Sequence, residues 1–370
     1  MEINKRGGEF MRELGISIYP FHSKMKENKD YIDLAAKYGF TRCFMCLLSV
    51  KYSKEEIIEE FKTIINYAKD KGIKTTLDIS PSIFGNLNIS YNDLSFFKEI
   101  GAWAIRLDLG FGGKQESIMS FNDYDLKIEI NMSNESHYID TIMDYCPNKE
   151  NIIGCHNFYP HIYTGLERNF FNRCTSKFKE YSLATAAFIT AKESTFGPWP
   201  VMDGMPTLEE HRNLPIEIQA IDLFLSDIDN VFISNCYANE ESFKKLSKVD
   251  KRYLVLKANL VKEIPEVEKK IVLDEFHNRR LDTNEYLIRS TSSRIKYRGH
   301  NFKLFNAENI IKRGAILIES SEYGSYAGEL QIALKDMKNT GRTNVVGYIK
   351  DEYLFLLDYI KASQNFRIEE

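Results

Sequence analysis

Eight short apolar runs, each followed by a longer amphipathic stretch, succeed one another before residue 250, and no other feature constrains the fold as tightly. The runs are Gly15–Tyr19, Arg42–Leu47, Thr75–Ile79, Trp103–Leu109, Lys127–Met132, Ile152–His156, Ala184–Thr190 and Asn230–Asn235. Their length and their β-branched and aromatic content read as buried strands. The segment Lys54–Lys71 shows what lies between them. There Ile57, Phe61, Ile64, Ile65 and Ala68 recur at helical spacing, and Gly72 stands where a helix should end. Eightfold β-α alternation predicts a (β/α)8 TIM barrel over residues 14–248, with a doubly wound open sheet as the rival.

From about Lys251 the rhythm changes. Tyr253–Ala258, Ala315–Glu319 and Asn344–Ile349 are strand-like, long helical patterns become rare, and glycine and asparagine punctuate the chain. Residues 249–370 are therefore predicted to form a small β-rich domain. The 370-residue length suits such a pair. Residues 1–13 read as an N-terminal extension in which Met11 offers a second start. Charges of both signs are interspersed and the net charge is only -4, which argues against a nucleic-acid surface. No apolar run approaches the roughly 18 residues of a membrane span. The opening MEINKRGGEF lacks the apolar stretch of a secretory signal, so a cytoplasmic location is expected. Most of the six cysteines fall in apolar segments rather than at the spacings of a disulfide framework, and they read as reduced thiols.

Active sites of such barrels lie at the C-terminal ends of the strands. Here Thr76-Leu-Asp78-Ile-Ser80, Arg106-Leu-Asp108-Leu-Gly110 and Glu129-Ile-Asn131-Met-Ser133 close the third, fourth and fifth runs. Polar residues two apart share one strand face, and the apolar residues between them face the helices. The polar face must then look into the barrel mouth, where Asp78, Asp108 and Glu129 converge beside Arg106 and Asn131. Burying carboxylates together is costly unless they are paired or used. A purely structural ion-pair network is the bland alternative for any one of them. After the sixth run, Gly154-Cys-His156-Asn157-Phe-Tyr159-Pro-His161 offers His156, Asn157 and Tyr159 as a hydrogen-bonding rim. Thr164-Gly-Leu-Glu167 reads as a capping box, with Arg168 in the first turn of a helix whose N-terminus could bind an anion. The loop from Phe196 to Arg212 is long and proline-rich. It offers Trp199 for stacking on a sugar, with Glu209, His211 and Arg212 as further contacts, whereas Thr207 and Glu210 suggest another capping box. In the β domain Arg289 and Arg294 flank Ser290-Thr-Ser-Ser293, a composition suited to phosphate.

Two patterns carry no chemistry. Cys43 and Cys46 are three apart in a strand and point to opposite faces, and Gly110-Phe-Gly-Gly113 lacks the lysine of a nucleotide-phosphate loop. No cofactor is expected, and the histidines lack a companion set at metal-ligand spacing.

SIYP, RLDLGF, IEINMS, GCHNFYPHIYTGL, the GPWP loop with PTLEEHR, the late RS–R pair, YGSYAGELQI and NVVGYI together resemble the bacterial 6-phospho-N-acetylmuramidases, once labelled outer surface proteins. The resemblance runs from about Met11 to the C-terminus. It implies a glycosidase barrel followed by a cyclophilin-like β-barrel. It also implies cleavage of the β-1,4 bond between N-acetylmuramic acid 6-phosphate and N-acetylglucosamine during peptidoglycan recycling. The implied partner is that small phosphorylated disaccharide, and neither nucleic acid nor membrane. Adjacent strands lie about 4.8 Å apart, so Asp108 and Glu129 would suit the roughly 5 Å of a retaining pair, with Asp78 in reserve. A substrate-assisted route through the 2-acetamido group is equally open. The alternative from another class is a non-catalytic sugar-phosphate or peptide-binding protein.

Overall fold

A computed structural model describes residues 12–47, 54–87 and 89–370; residues 1–11 of the expected extension, with the second start Met11, lie outside these, and Glu13, expected as its last residue, opens the first strand. The chain divides into two compact units, Met1–Lys248 and Val249–Glu370.

The first unit is a closed barrel of eight parallel strands in sequential order. They are β1 (Glu13–Ile18), β2 (Arg42–Leu47), β3 (Lys74–Ile79), β4 (Ala104–Leu107), β5 (Lys127–Asn131), β6 (Ile152–Cys155), β7 (Ala184–Ile189) and β8 (Asn230–Ile233). The open-sheet alternative is thereby excluded, because β1 pairs with β8 as well as with β2. Helices fill the intervals as the periodicity predicts: Phe61, Ile64, Ile65 and Ala68 of the helix Lys54–Asp70 are all buried. Gly72 follows it with a φ of +78°, a conformation that costs glycine little.

The inside of the barrel is filled in two halves. Phe44 of β2, Cys155 of β6, Ala186 and Phe188 of β7 and Phe232 of β8 form one buried cluster. The rings of Phe44 and Phe188 meet edge to face at 5.0 Å. Gly15 of β1 makes room for it: a Cβ there would lie 2.4 Å from the Phe232 ring. The other half, from β3 to β5, is polar. Register sets Asp78 beside Arg106 and Arg106 beside Glu129. In a closed, tilted barrel successive register partners lie at different heights along the axis, so these side chains are stacked rather than level.

The second unit is a seven-stranded sheet with a two-stranded companion. Its strands are β9 (Leu254–Leu260), β10 (His277–Asn278), β11 (Leu287–Ser290), β12 (Ile310–Ile311), β13 (Ala315–Glu319), β14 (Leu330–Ala333), β15 (Met337–Lys338), β16 (Thr343–Ile349) and β17 (Asn365–Glu369). The large sheet runs β10-β17-β9-β16-β13-β14-β11, and β12 pairs with β15. Its edge strands approach each other, the His277 ring standing 3.2 Å from the Ser290 hydroxyl. The sheet therefore curls almost to closure around a core that includes Ala315, Leu317, Ala333 and Val345.

Candidate active site

Arg106 organises the mouth. Its Nη1 donates to Asp78 Oδ1 at 2.6 Å and to Asp108 Oδ1 at 3.3 Å, and its Nη2 donates to Asn157 Oδ1. The two carboxylates differ in solvation: the Asp78 side chain is 5% exposed and that of Asp108 36%. Burial pushes the Asp78 carboxyl up to about 6; Arg106 opposes the rise and the charge of Asp108 adds to it. Cys46, 3.9 Å from Asp78 Oδ2, adds a thiol to the same group. Strand parity signals Cys46, the register partner of Asp78, as plainly as it signals Asp78 itself.

Glu129 stands apart from this pair. It is buried in the barrel, and its Oε2 lies 3.9 Å from Nη2 of Arg42, the first residue of β2. Burial raises its pKa against the pull of Arg42 and Arg106, and neither oxygen has a nitrogen or oxygen donor among the described residues. The expected pair, Asp108 and Glu129, is thus held by different arginines, Arg106 and Arg42. Asp78 is the carboxyl that shares a guanidinium nitrogen with Asp108.

Around the pair, loops are braced rather than loose. Asn131 donates to the carbonyl of Asp108 at 3.1 Å and accepts from the Ser133 amide at 2.9 Å. Ser133 Oγ in turn accepts the Asn157 amide at 2.7 Å. Tyr159 is half-buried beside Ser133 and Asn157, and burial raises its phenol pKa. The loop after Asp108 is clamped by Glu116, which accepts from the amides of Phe111 at 2.5 Å and Gly113 at 2.7 Å and from the Tyr138 hydroxyl. Gly110 is required there, since a Cβ would fall 1.7 Å from the Tyr138 oxygen. Glu116 sits at the third position of its helix, so its capping role was legible in the sequence.

Several expected contacts are engaged by protein partners. His156 is fully buried. Its ring meets Ser133 Oγ at 3.2 Å and Thr175 Oγ1 at 3.0 Å, and it stacks on Phe171. Burial, seconded by Arg106, holds it neutral with a pKa of about 3. Because Cys155 points inward, the next residue must point outward. Glu209 and Arg212 form a staple. Arg212 donates to Glu209 at 2.6 and 2.7 Å and to the carbonyls of Tyr159, His161, Asp203 and Gly204, while Glu209 accepts the amides of Tyr163 and Gly165. The hydrogen bond from Arg212 leads the causes that hold the Glu209 carboxyl at about 2. His211, also fully buried, contacts Asp222 at 2.7 Å. Arg168 donates to that same Asp222 at 2.5 Å, to Glu210 at 2.6 Å and to Ser226 at 2.9 Å, so its guanidinium is engaged with protein partners. Its helix, Arg168–Glu180, is capped by Glu167 rather than Thr164. Thr207, the other expected cap, accepts the Phe188 amide and donates to the carbonyl of Asn157. Trp199 is 49% exposed on its loop.

In the β unit, Arg289 and Arg294 converge on one buried carboxylate, Glu329, at 2.7 and 3.2 Å, and both lie over the Tyr326 ring. The hydroxyls between them serve the fold: Ser293 donates to the Gly328 carbonyl at 2.7 Å. Among the described residues no helix is long and apolar enough to cross a membrane. None of their His, Cys, Asp and Glu side chains gather in a group of three or more that could hold a metal ion.

A closed barrel with two carboxyls sharing one guanidinium at the C-terminal ends of its strands belongs to a class equipped for acid–base chemistry on a polar substrate. The chain belongs to the 6-phospho-N-acetylmuramidase family: the model of the family's N-terminal part matches residues 14–248 and that of its C-terminal part residues 254–369. The family name carries a glycosidase role. Among solved structures the chain is similar to an uncharacterized B. cereus protein, at 46% identity over 97% of this chain and 100% of that one, with a TM-score of 0.87. A conserved Enterococcus faecalis protein of unknown function shares the fold at 23% identity over 96% of each chain, with a TM-score of 0.66. Comparison with curated proteins returns no match.

Proposed function

We propose that this protein hydrolyses the β-1,4 bond of 6-phospho-N-acetylmuramyl-N-acetylglucosamine in the cytoplasm, as a step of peptidoglycan recycling, and that Asp78 and Asp108 carry the chemistry. The observation that carries the reading is their sharing of Arg106 Nη1. Contacts of 2.6 and 3.3 Å to one nitrogen bring the two carboxyls close enough to be compatible with the roughly 5 Å spacing of retaining enzymes. A carboxyl at about 6 can hold a proton near neutral pH, as a general acid or an acetamide-orienting group must. Asp108, the more exposed of the two, meets the substrate first. Asn157, Tyr159 and Trp199 line the approach as sugar-binding groups. The curled sheet of the second unit is compatible with the cyclophilin-like barrel that the family resemblance implies.

The assay is release of N-acetylglucosamine from the phosphorylated disaccharide and from its unphosphorylated counterpart. The phosphorylated substrate should turn over far faster, and Asp108→Asn should lower turnover on the order of a hundredfold or more with folding intact. Equal rates on the two substrates would remove the phosphate from the proposal, and near-normal turnover in Asp108→Asn would remove Asp108. Proton NMR of the first product should show a retained anomer.

A further inference from the structure

We infer that the opposite, N-terminal end of the barrel carries a second binding site, for a phosphate ester borne on a ring. A cavity of about 480 Å³ opens there, within the size range of small-ligand pockets. Lys74 opens β3, Lys127 opens β5, and the two helices that lead into β3 and β4 supply Lys69 and Lys98. Four ammonium groups thus share one lining that contains a single carboxylate, Asp125. Their charges are poorly matched by neighbours. Lys127 donates to the neutral side chain of Asn151 at 2.7 Å, and Lys74 comes only within 3.7 Å of Glu13. Lys69 and Lys98 form no ion pair among the described residues. This end of a barrel ordinarily serves stability, and four like charges around one hollow work against stability. An anion would reverse the sign of that arrangement, and a compact ammonium is well suited to phosphate.

The walls say what the anion is attached to. Trp103 and Tyr124 line the same cavity with Ile73, giving flat apolar surface beside the charges. The hydroxyl of Thr75, also in the lining, is buried without a hydrogen-bond partner among the described residues. An indole beside lysines and a spare hydroxyl suits a ring that stacks through its face and ends in phosphate. Sugar phosphates and nucleotides share that chemistry.

The chain contains two tryptophans, Trp103 and Trp199, so Trp199→Phe leaves the cavity's indole as the sole tryptophan reporter. In that background glucose 6-phosphate or AMP should change Trp103 fluorescence saturably, while glucose and adenosine should not. The tighter of the two esters identifies the body of the ligand. Lys69→Ala and Lys98→Ala should each weaken binding about fivefold, the value of one partly solvated charge pair, and Asp108→Asn should leave it unchanged. Calorimetric titration of the wild-type chain and the two lysine variants reads the same affinities should Trp199→Phe fail to fold. The inference is overturned if neither ester binds at millimolar concentration, or if the lysine variants bind as the wild type does.

Discussion

Replacing Arg106 by methionine keeps an unbranched stem and deletes the guanidinium, and with it the charge that two carboxyls share. Asp78 and Arg106 are 5% and 3% exposed, so their contact at 2.6 Å is a buried ion pair. Removing one member of such a pair costs about 3–5 kcal/mol, because the other is left charged and unsolvated. The contact to Asp108 adds little, since a side chain 36% exposed is screened by water. Asp78 has an escape that caps the loss, namely to keep its proton. Its carboxyl already stands at about 6 with Arg106 beside it, and deleting the guanidinium must push it higher. Up to about pH 6 the native carboxyl holds a proton in wild type and variant alike, so the variant is penalised little. Between about 6 and the raised value only the variant still holds it, each pH unit costs the variant about 1.4 kcal/mol relative to the wild type, and above the raised value the penalty levels off. Urea unfolding at pH 5 and pH 8 should therefore show a small loss at the lower pH and about 3 kcal/mol or more at the higher. Asp78→Asn combined with Arg106→Met should cost less at pH 8 than Arg106→Met alone, and its cost should not grow between pH 5 and pH 8. An Arg106→Met penalty equal at the two pH values would refute the reasoning, as would one below about 1 kcal/mol at pH 8.

Glu129→Gln should retain turnover within tenfold and lose little stability, because burial already favours the protonated carboxyl and the amide is nearly isosteric; a hundredfold fall in turnover would return Glu129 to the chemistry. In the β unit, burial raises Glu319 to about 7, with Glu329 adding to the rise against the Thr343 hydrogen bond. The folded state then holds a proton that the unfolded chain releases near 4.5, so the stabilisation present below that pH is lost as pH climbs through about 7, on the order of 3 kcal/mol in all. Glu319→Gln should flatten the dependence of unfolding free energy on pH between 6 and 8, and an unchanged slope would count against it. Arg212→Ala should raise KM more than it lowers kcat, since it unties the loops carrying Tyr159 and Asp203 without touching a carboxyl of the proposed pair; steady-state kinetics on the phosphorylated disaccharide decide this.

Period and parity are local properties, and what depends on them was legible. The span of β2 and the placing of Asp78, Arg106, Asp108 and Glu129 on one face follow from alternation along single strands. Parity would also have turned His156 outward had it been carried through β6. Depth was hidden, because it depends on how the strands tilt when the sheet closes, which no single strand encodes. That is why Asp108 and Glu129, adjacent in strand order, differ so much in exposure. Partners distant in sequence were hidden too. Arg168 and His211 look available until Asp222 folds between them, and Arg212 until the carbonyls of two loops close around it. The two expected capping boxes failed for a related reason: threonine hydroxyls satisfied loop carbonyls and a strand amide, leaving Glu167 to cap its own helix.

The polar half of the barrel has a logic of its own. From the floor upward, Arg42, Glu129, Arg106, Asp78 and Asp108 alternate in sign except at the top, where two carboxyls meet one guanidinium. Arg42 is anchored from below by Glu13 and Asn230 and lies 3.9 Å over the Trp103 ring, so the column rests on a fixed base. Each buried ionisable group beneath the mouth thereby has a group of the opposite type beside it, which limits the cost of any charge taken out of water. The excess carboxyl is placed where solvent reaches it. Burial outweighs the pull of that single arginine, with the charge of Asp108 adding to the rise, so Arg106 can hold Asp78 in the fold and still leave its carboxyl at about 6, in the range that acid–base chemistry at neutral pH uses.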